Sequence, residues 1–270
     1  MDRFYVITNG SKDKDLKTTN YVKQCVEAHG KECILSVEHP EFPEGTECVL
    51  VLGGDGTLIR AARELREQDV PMIGINLGTL GYLAEVELQN IESAIEQIVH
   101  EELPVEERMM LRGTVCGKYT DTALNDIVLT RLGTLRIIRF NIFVNGELLN
   151  SYQADGVIIS TPTGSTGYNM SAGGPIVQPT ASMIVITPIC SHALNTRSIV
   201  LSVDDEIVIE MGQGREGLLD EAVISFDGDH HIRVTTGDRI VIRKAKDKTK
   251  LLKLSKVSFL ETLRKKMKGN

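Results

Sequence analysis

Short apolar runs separated by amphipathic stretches fill the first hundred residues. Phe4 to Thr8 is an apolar, strand-length run followed by the turn residues Asn9-Gly10-Ser11. From about Asp15 to His29, Leu16, Val22 and Val26 recur on one side and Gly30 follows, the pattern of a helix and its stop. Cys33 to Val37 predicts a second strand. Cys48 to Leu52 is apolar throughout, as expected of a strand covered on both faces of a parallel sheet. It runs into Gly53-Gly54-Asp55-Gly56-Thr57, after which Leu58, Ala61, Ala62 and Leu65 fall at helical spacing. Met72 to Ile75 adds a strand, and Asn90 to Glu101 another amphipathic helix. This alternation predicts an α/β domain built on a doubly wound open sheet.

The pattern changes near Leu103-Pro104. Ile138, Phe140, Ile142 and Val144 alternate with more polar neighbours and run into Asn145-Gly146, a strong hairpin signal. Asp227-Gly228 is a second such turn, after Ala222 to Phe226. Further strands are expected at Val157–Thr161, Met183–Thr187, Ser198–Val203, Glu206–Met211 and Arg239–Arg243, with one helix after Thr163 and another from Ser258 to Lys268. The second domain should therefore be mostly β and sandwich-like. The expected division is 1–102, joined by 256–270, and 103–255.

Charge and cysteine content narrow the classes. A formal net charge of −7 argues against broad binding to nucleic acid, which needs a basic surface. Lys and Arg concentrate from Arg243 to Lys268, but Leu251, Leu252, Leu254, Val257 and Leu260 interrupt the run, so it resembles a folded strand and helix with a charged outside. The five cysteines form no CxxC pair, and the chain starts directly on a strand-like run. Free thiols in a reducing, cytoplasmic setting are expected. No apolar stretch reaches the ~18 residues a membrane helix needs, so no membrane partner is expected. The histidines lack metal-ligand spacing, so no protein-held zinc is expected either.

Three segments carry candidate chemistry. Gly53–Thr57 lies at the carboxyl end of a buried strand, where open α/β sheets bind ligands. Its glycines allow close backbone approach, and the helix that follows offers amides to an anion. Asp55 is the informative residue: a carboxylate in a plain phosphate cradle repels the ligand, so it must bridge a divalent ion or take a proton from an attacking hydroxyl. The motif lacks the GKS/T of a Walker A loop and is not GxGxxG. The second segment, Asp155 to Asn169, runs from a strand into a loop crowded with Gly, Ser and Thr, and Tyr168 offers a flat surface to a ring. A polar turn capped by Ser165 or Thr166 is the plainer explanation. The third is Asn125-Asp126 at a strand start: a carboxylate can take both ribose hydroxyls and an amide can read a base edge, though an ordinary turn fits equally well.

Taken together these segments resemble the NAD kinase family. The resemblance covers most of the chain: Gly53–Thr57, Asn76-Leu77-Gly78-Thr79-Leu80-Gly81-Tyr82-Leu83, Asn125-Asp126, Asp155 to Asn169, and Asn195-Thr196-Arg197-Ser198. GGDGT alone is shared with diacylglycerol, sphingosine and phosphofructokinase-type kinases; the long DGxxxSTPTGST stretch singles out NAD kinases. The resemblance implies phosphorylation of the 2′-hydroxyl of NAD's adenosine ribose, with ATP or polyphosphate as donor and a divalent metal such as Mg2+ bound with ATP. Asp55 matches the general base, and Gly56 lines the same site. Arg60 matches a basic ligand contact. Asn125, Asp126 and Asp155 match NAD contacts, Thr166, Gly167, Tyr168, Asn169, Met170 and Ser171 match the segment around the nucleotide, and Arg136 matches a further dinucleotide contact. A homodimer or homotetramer is implied. The chain departs from the family's pattern at Asp126 (more often Glu), Gly167 (usually Ala), Tyr82 (commonly Phe) and Asp229 (commonly Gln). A lipid kinase of the same superfamily, or a non-catalytic NAD(P) sensor, are the competing functions.

Overall fold

In the computed structural model, which describes residues 1–78, 81–133, 137–193, 196–214, 218–255 and 257–267, the expected alternation takes definite form. Chain order runs β1 (Arg3–Thr8), α1 (Lys17–Ala28), β2 (Glu32–Leu35), β3 (Cys48–Gly53), α2 (Asp55–Glu64), β4 (Met72–Asn76), β5 (Ala84–Glu87), α3 (Ile91–His100), β6 (Val105–Val115), β7 (Tyr119–Ala123), β8 (Asp126–Arg131), β9 (Ile138–Val144), β10 (Glu147–Ala154) and β11 (Gly156–Ser160). It continues with α4 (Tyr168–Ser171), β12 (Met183–Ile189), β13 (Ile199–Ser202), β14 (Ile207–Met211), β15 (Glu221–Phe226), β16 (Asp229–Thr235), β17 (Arg239–Leu252) and α5 (Phe259–Met267). The chain divides into two units, 1–107 with 249–270, and 108–248.

In the first unit β2, β1, β3 and β4 lie side by side in that order and all run parallel, with β5 and the end of β17 also parallel to β4. Every residue of β3 and β4 is buried. The period-2 geometry of a strand sends Cys48, Leu50 and Leu52 into a core with Val22 and Val26 of α1 and Ile91, Ile95 and Ile98 of α3. Val49 and Val51 are buried on the opposite face, and Leu58 of α2 packs so tightly on Gly74 that a Cβ there would meet it at 2.8 Å. Both faces are thus covered, which explains the unbroken apolar runs.

The N-terminus of α1 differs from the expected Asp15. Asp15 and Leu16 have φ of 63° and 52°, so the regular helix opens at Lys17. Asp13 stops it there: its carboxylate accepts the amides of Thr18 (3.1 Å) and Thr19 (2.8 Å) and the Thr19 hydroxyl (2.6 Å). Leu16 therefore lies outside the helix it was expected to join.

The second unit is a β sandwich. One sheet has the order β10-β9-β14-β17, with β6 and β7 continuing beyond β17; the other has the order β13-β12-β11-β8-β15-β16 and is antiparallel throughout. Their inner faces share one core, in which Phe140, Ile142, Ile207 and Ile209 meet Ile127, Leu129, Ile159 and Phe226. β17 runs nine residues past the expected Arg243. Ala245, Thr249 and Leu251 remain buried along it, while the intervening Lys residues obscure the apolar rhythm in the sequence. The helix expected after Thr163 is shorter than a regular helix: a 3-10 turn, Gly164–Thr166, leads into the single turn of α4.

Candidate functional site

In the first unit the chain departs from the end of β1 to β2 on one side, while β3 returns on the other. This reversal of strand order is where open α/β sheets bind ligands. The loops after β1, β3 and β4 are tied together here. The Asn9 amide donates to the Leu52 carbonyl (2.9 Å), the Asn9 side-chain amide to the Thr57 hydroxyl (3.3 Å), and the Leu77 amide to the Gly53 carbonyl (2.9 Å). Gly53 is required by contact, since a Cβ would meet the Thr57 hydroxyl at 2.3 Å.

Asp55 opens α2 and turns its carboxylate toward the segment leading into β5. Oδ2 accepts the Tyr82 amide (2.7 Å); Oδ1 accepts the amides of Leu83 (3.1 Å) and Ala84 (3.3 Å). A carboxylate offers about four lone-pair positions, so one on Oδ2 remains for a further donor such as an alcohol. Gly81 makes this seat possible, because a Cβ there would lie 1.9 Å from Oδ1. Gly56 and Arg60 are exposed beside it. Lys12, from the loop after β1, brings its ammonium to the same turn. A Cβ on Gly54 or Gly78 would meet Nζ at 3.2 and 3.7 Å. Sequence reasoning missed Lys12 and gave Gly81 only as part of the family loop, with no role; both belong to loops whose convergence depends on strand order.

In the second unit, the candidate residues gather around the adjacent strands β8 and β11 and the β15–β16 turn. Asn125 and Asp126 open β8, and Asp126 is only 4% exposed. The Thr161 amide donates to the Asn125 carbonyl (2.8 Å), and the Thr161 hydroxyl to that of Leu124 (2.6 Å). Gly164 lies so close that a Cβ would meet the Asn125 carbonyl oxygen at 2.2 Å. The glycine thus lets the Ser/Thr-rich loop lie directly on the Asn125-Asp126 segment. Tyr168, Asn125, Asp126, Thr130, Ser225 and Asp227 line a cavity of about 420 Å³. Tyr168 presents an exposed ring, and burial, the leading influence, pushes its phenol up, helped by Cys190, Asp126 and Asp155.

The loop residues divide by exposure. Tyr168, Met170 and Ser171 are exposed, and Thr166 and Gly167 half-buried. Asn169 is fully buried, its amide donating to the carbonyls of Ser165 (3.1 Å) and Pro175 (2.9 Å) and its oxygen accepting the Thr187 hydroxyl (2.7 Å). It braces the loop from within. Ser165 does the same, bonding the Pro162 and Val177 carbonyls and accepting the Val177 amide. Neither Ser165 nor Thr166 caps α4. Asp155 is paired with Arg131 at 2.7 Å. Arg136, Thr79, Leu80, Asn195 and Lys268 lie outside the described residues.

The other residue missed from sequence is Asp227. Its carboxylate accepts the amides of Leu124 (2.8 Å), Asn125 (2.7 Å) and Asp126 (3.1 Å), which places the start of β8. The Asp227-Gly228 pair reads as a turn, and nothing local indicates that its side chain reaches back across a hundred residues.

Comparison with known proteins covers both units. The ATP-NAD kinase N-terminal domain matches residues 4–103, and the ATP-NAD kinase C-terminal domain matches 124–254. The NAD kinase of Lachnospira eligens is 47% identical over 99% of this chain and 100% of its own. That of Agathobacter rectalis is 49% identical over 100% and 99%. Two solved structures share the fold: yeast NADH kinase complexed with NADH (TM-score 0.87, 22% identity, 100% of this chain and 88% of that one), and an Archaeoglobus fulgidus NAD kinase in complex with ATP (0.80, 24%, 98% of each). With both halves matched and near-half identity along its full length, the chain belongs to the NAD kinase family.

Proposed function

We propose that this enzyme transfers the terminal phosphate of ATP to the 2′-hydroxyl of the adenosine ribose of NAD, making NADP. The observation that carries this reading is Asp55: a carboxylate held rigidly at the end of a buried parallel strand, one lone-pair position still open, beside a helix N-terminus and a lysine. The relatives named NAD kinase support NAD as acceptor, and the structure solved with ATP supports ATP as donor. Polyphosphate presents the same terminal phosphate and is the alternative donor.

In this reading the hydroxyl attacks phosphorus in line while Asp55 Oδ2 accepts its proton. The amides opening α2, with Lys12, face the negative charge that gathers on the phosphoryl oxygens. Asn125, Asp126, Asp155 and the loop from Thr166 to Ser171 hold the dinucleotide, with Tyr168 offering its ring. Among the described residues no three His, Cys, Asp or Glu side chains gather into a metal cage. A divalent ion such as Mg2+ would be carried on the donor's phosphates, and Asp55 is the protein carboxylate that could help to hold it. Bound there, it supplies charge neutralisation. Among the described residues no helix is long and apolar enough to cross a membrane. We place the enzyme in the cytoplasm as a homodimer or homotetramer.

The test is an incubation with ATP, Mg2+ and either NAD or diacylglycerol, read by a coupled NADP assay and by lipid phosphate analysis. NADP is the expected product. Phosphorylated lipid would move the reading to the lipid kinases, and NAD binding without turnover would make the protein a sensor.

A further inference from the structure

The Asp227-Gly228 turn is a hairpin of two left-handed residues, with φ of 52° and 74°. Aspartate is common in such turns because it tolerates this backbone, and its side chain then ordinarily bonds backbone close by in sequence. Here its partners lie about a hundred residues away. The carboxylate takes three consecutive amides, from Leu124, Asn125 and Asp126, at 2.7 to 3.1 Å, and the Asp227 amide donates back to the Asp126 carbonyl at 2.9 Å. Four bonds thus tie the turn to the residues that open β8.

Alongside lies Asp126, almost without solvent. A carboxyl as buried as Asp126, with half-buried Asp227 on the adjoining turn, ionises only at a penalty once its neighbour is charged, and hydrogen-bond donors decide which of the two carries the charge. The three amides stabilise the charged form of Asp227, so the proton belongs on Asp126. We propose that Asp227 is a positioning residue that fixes the Asn125-Asp126 pair and keeps Asp126 protonated, so that Asp126 donates a hydrogen bond to the dinucleotide instead of accepting one. This rests on the NAD kinase reading of the site and changes its chemistry, because a neutral donor pairs with a ring nitrogen or a phosphate or ribose oxygen, where a carboxylate would accept from ribose hydroxyls.

The titratable groups that face Asp126 are consistent with this. Burial first, and then the charge of Asp227, push Asp126 up to about 7. From α4, Tyr168 faces the same cavity and interacts with both Asp126 and Asp155. Arg131 is engaged by Asp155 and by the Gly133 carbonyl. From β11, Ser160 is the register partner of Asp126 and carries no charge. As pH rises through about 7 the proton leaves Asp126, the donor is lost, and two adjacent negative charges face an anionic ligand. Dinucleotide affinity should therefore be highest below that pH and fall above it.

The experiment is calorimetric titration of the full chain with NAD from about pH 5.5 to about pH 8.5, for wild type, Asp227→Asn and Asp126→Asn. Wild-type affinity is expected to fall above about pH 7, by up to about tenfold per pH unit for a single linked proton. Asp227→Asn keeps an oxygen for the amides but removes the charge, so its inflection moves to lower pH. Asp126→Asn is permanently neutral and gives a flat profile. A purely structural role for Asp227 would lower affinity at every pH and leave the inflection in place, which would overturn the proposal. So would a wild-type profile flat across the range. If Asp227→Asn does not fold, the wild-type and Asp126→Asn profiles decide alone. Wild-type enzyme that makes NADP but shows no such pH dependence refutes this inference only; wild-type enzyme that makes no NADP refutes the functional reading beneath it.

Discussion

At the scale of single residues, two carboxylates of the candidate site, Asp55 and Asp227, each accept three backbone amides. Asp55 is seated on the amides of Tyr82, Leu83 and Ala84, and Gly81 leaves the room for it. Gly81→Ala would drive a methyl into Oδ1 and displace the Asp55 carboxylate, the proposed base. A displacement of about 1 Å is expected to cost on the order of 100-fold in kcat, with NAD affinity little changed because the dinucleotide contacts assigned to the second unit are untouched. Asp55→Asn should lower kcat by at least about 100-fold with the same sparing of affinity. Steady-state kinetics beside calorimetric NAD binding checks both, and near-normal turnover in either variant would break the link between this seat and the chemistry. Asp55 was legible because a lone carboxylate among glycines at a strand end has few passive explanations. Gly81 was legible only as part of a family pattern, and Asp227 only as a turn, because each acts on a residue far away in sequence.

At the scale of elements, what sequence periodicity could report depended on which faces are buried. β3 and β4 were plain because both their faces are covered, and β9 because one face is, giving its alternation. β17 extends beyond its apolar signal because lysines occupy its outward positions. α1 starts later than its composition suggests because Asp15 and Leu16 take left-handed conformations ahead of the amides that Asp13 caps. That cap gives a prediction with a definite sign. Burial would raise the Asp13 carboxyl, but the bonds from Thr19 and Thr18 outweigh it and hold it below the usual carboxylate range. A group depressed in the folded state stabilises above its unfolded value, and that stability is lost as pH falls through the folded one. Asp13→Ala should thus cost about 1 kcal/mol near neutrality, the typical value of a helix cap. The gap from wild type in urea midpoint should close as pH drops below the carboxylate range. A gap that persists undiminished in acid would mean that packing, and not the charged cap, is what Asp13 contributes.

At the scale of the whole molecule, the free cysteines sort by unit. Cys33 and Cys48 sit in the apolar core of the first unit, 6% and 0% exposed, whereas Cys116 and Cys190 are exposed in the second. Burial pushes the Cys33 thiol up to about 12 and Cys48 higher still. Since the thiolate is the nucleophile, both are shielded by chemistry as well as by access. Modification of native protein with a thiol reagent should therefore label Cys116 and Cys190 first and half-buried Cys25 more slowly. Cys33 and Cys48 should react only when the first unit opens, on the order of 100-fold slower or more if that opening costs about 3 kcal/mol. Peptide mapping of labelled sites during a temperature ramp then follows the first unit by itself. If its core is an independent cooperative body, Cys33 on β2 and Cys48 on β3 become reactive together, because β1 pairs with both strands and cannot release one while the core still holds the other. Labelling of Cys33 well ahead of Cys48 would instead show β2, at the edge of the sheet, peeling away before the core gives, and would place the weakest part of the first unit there.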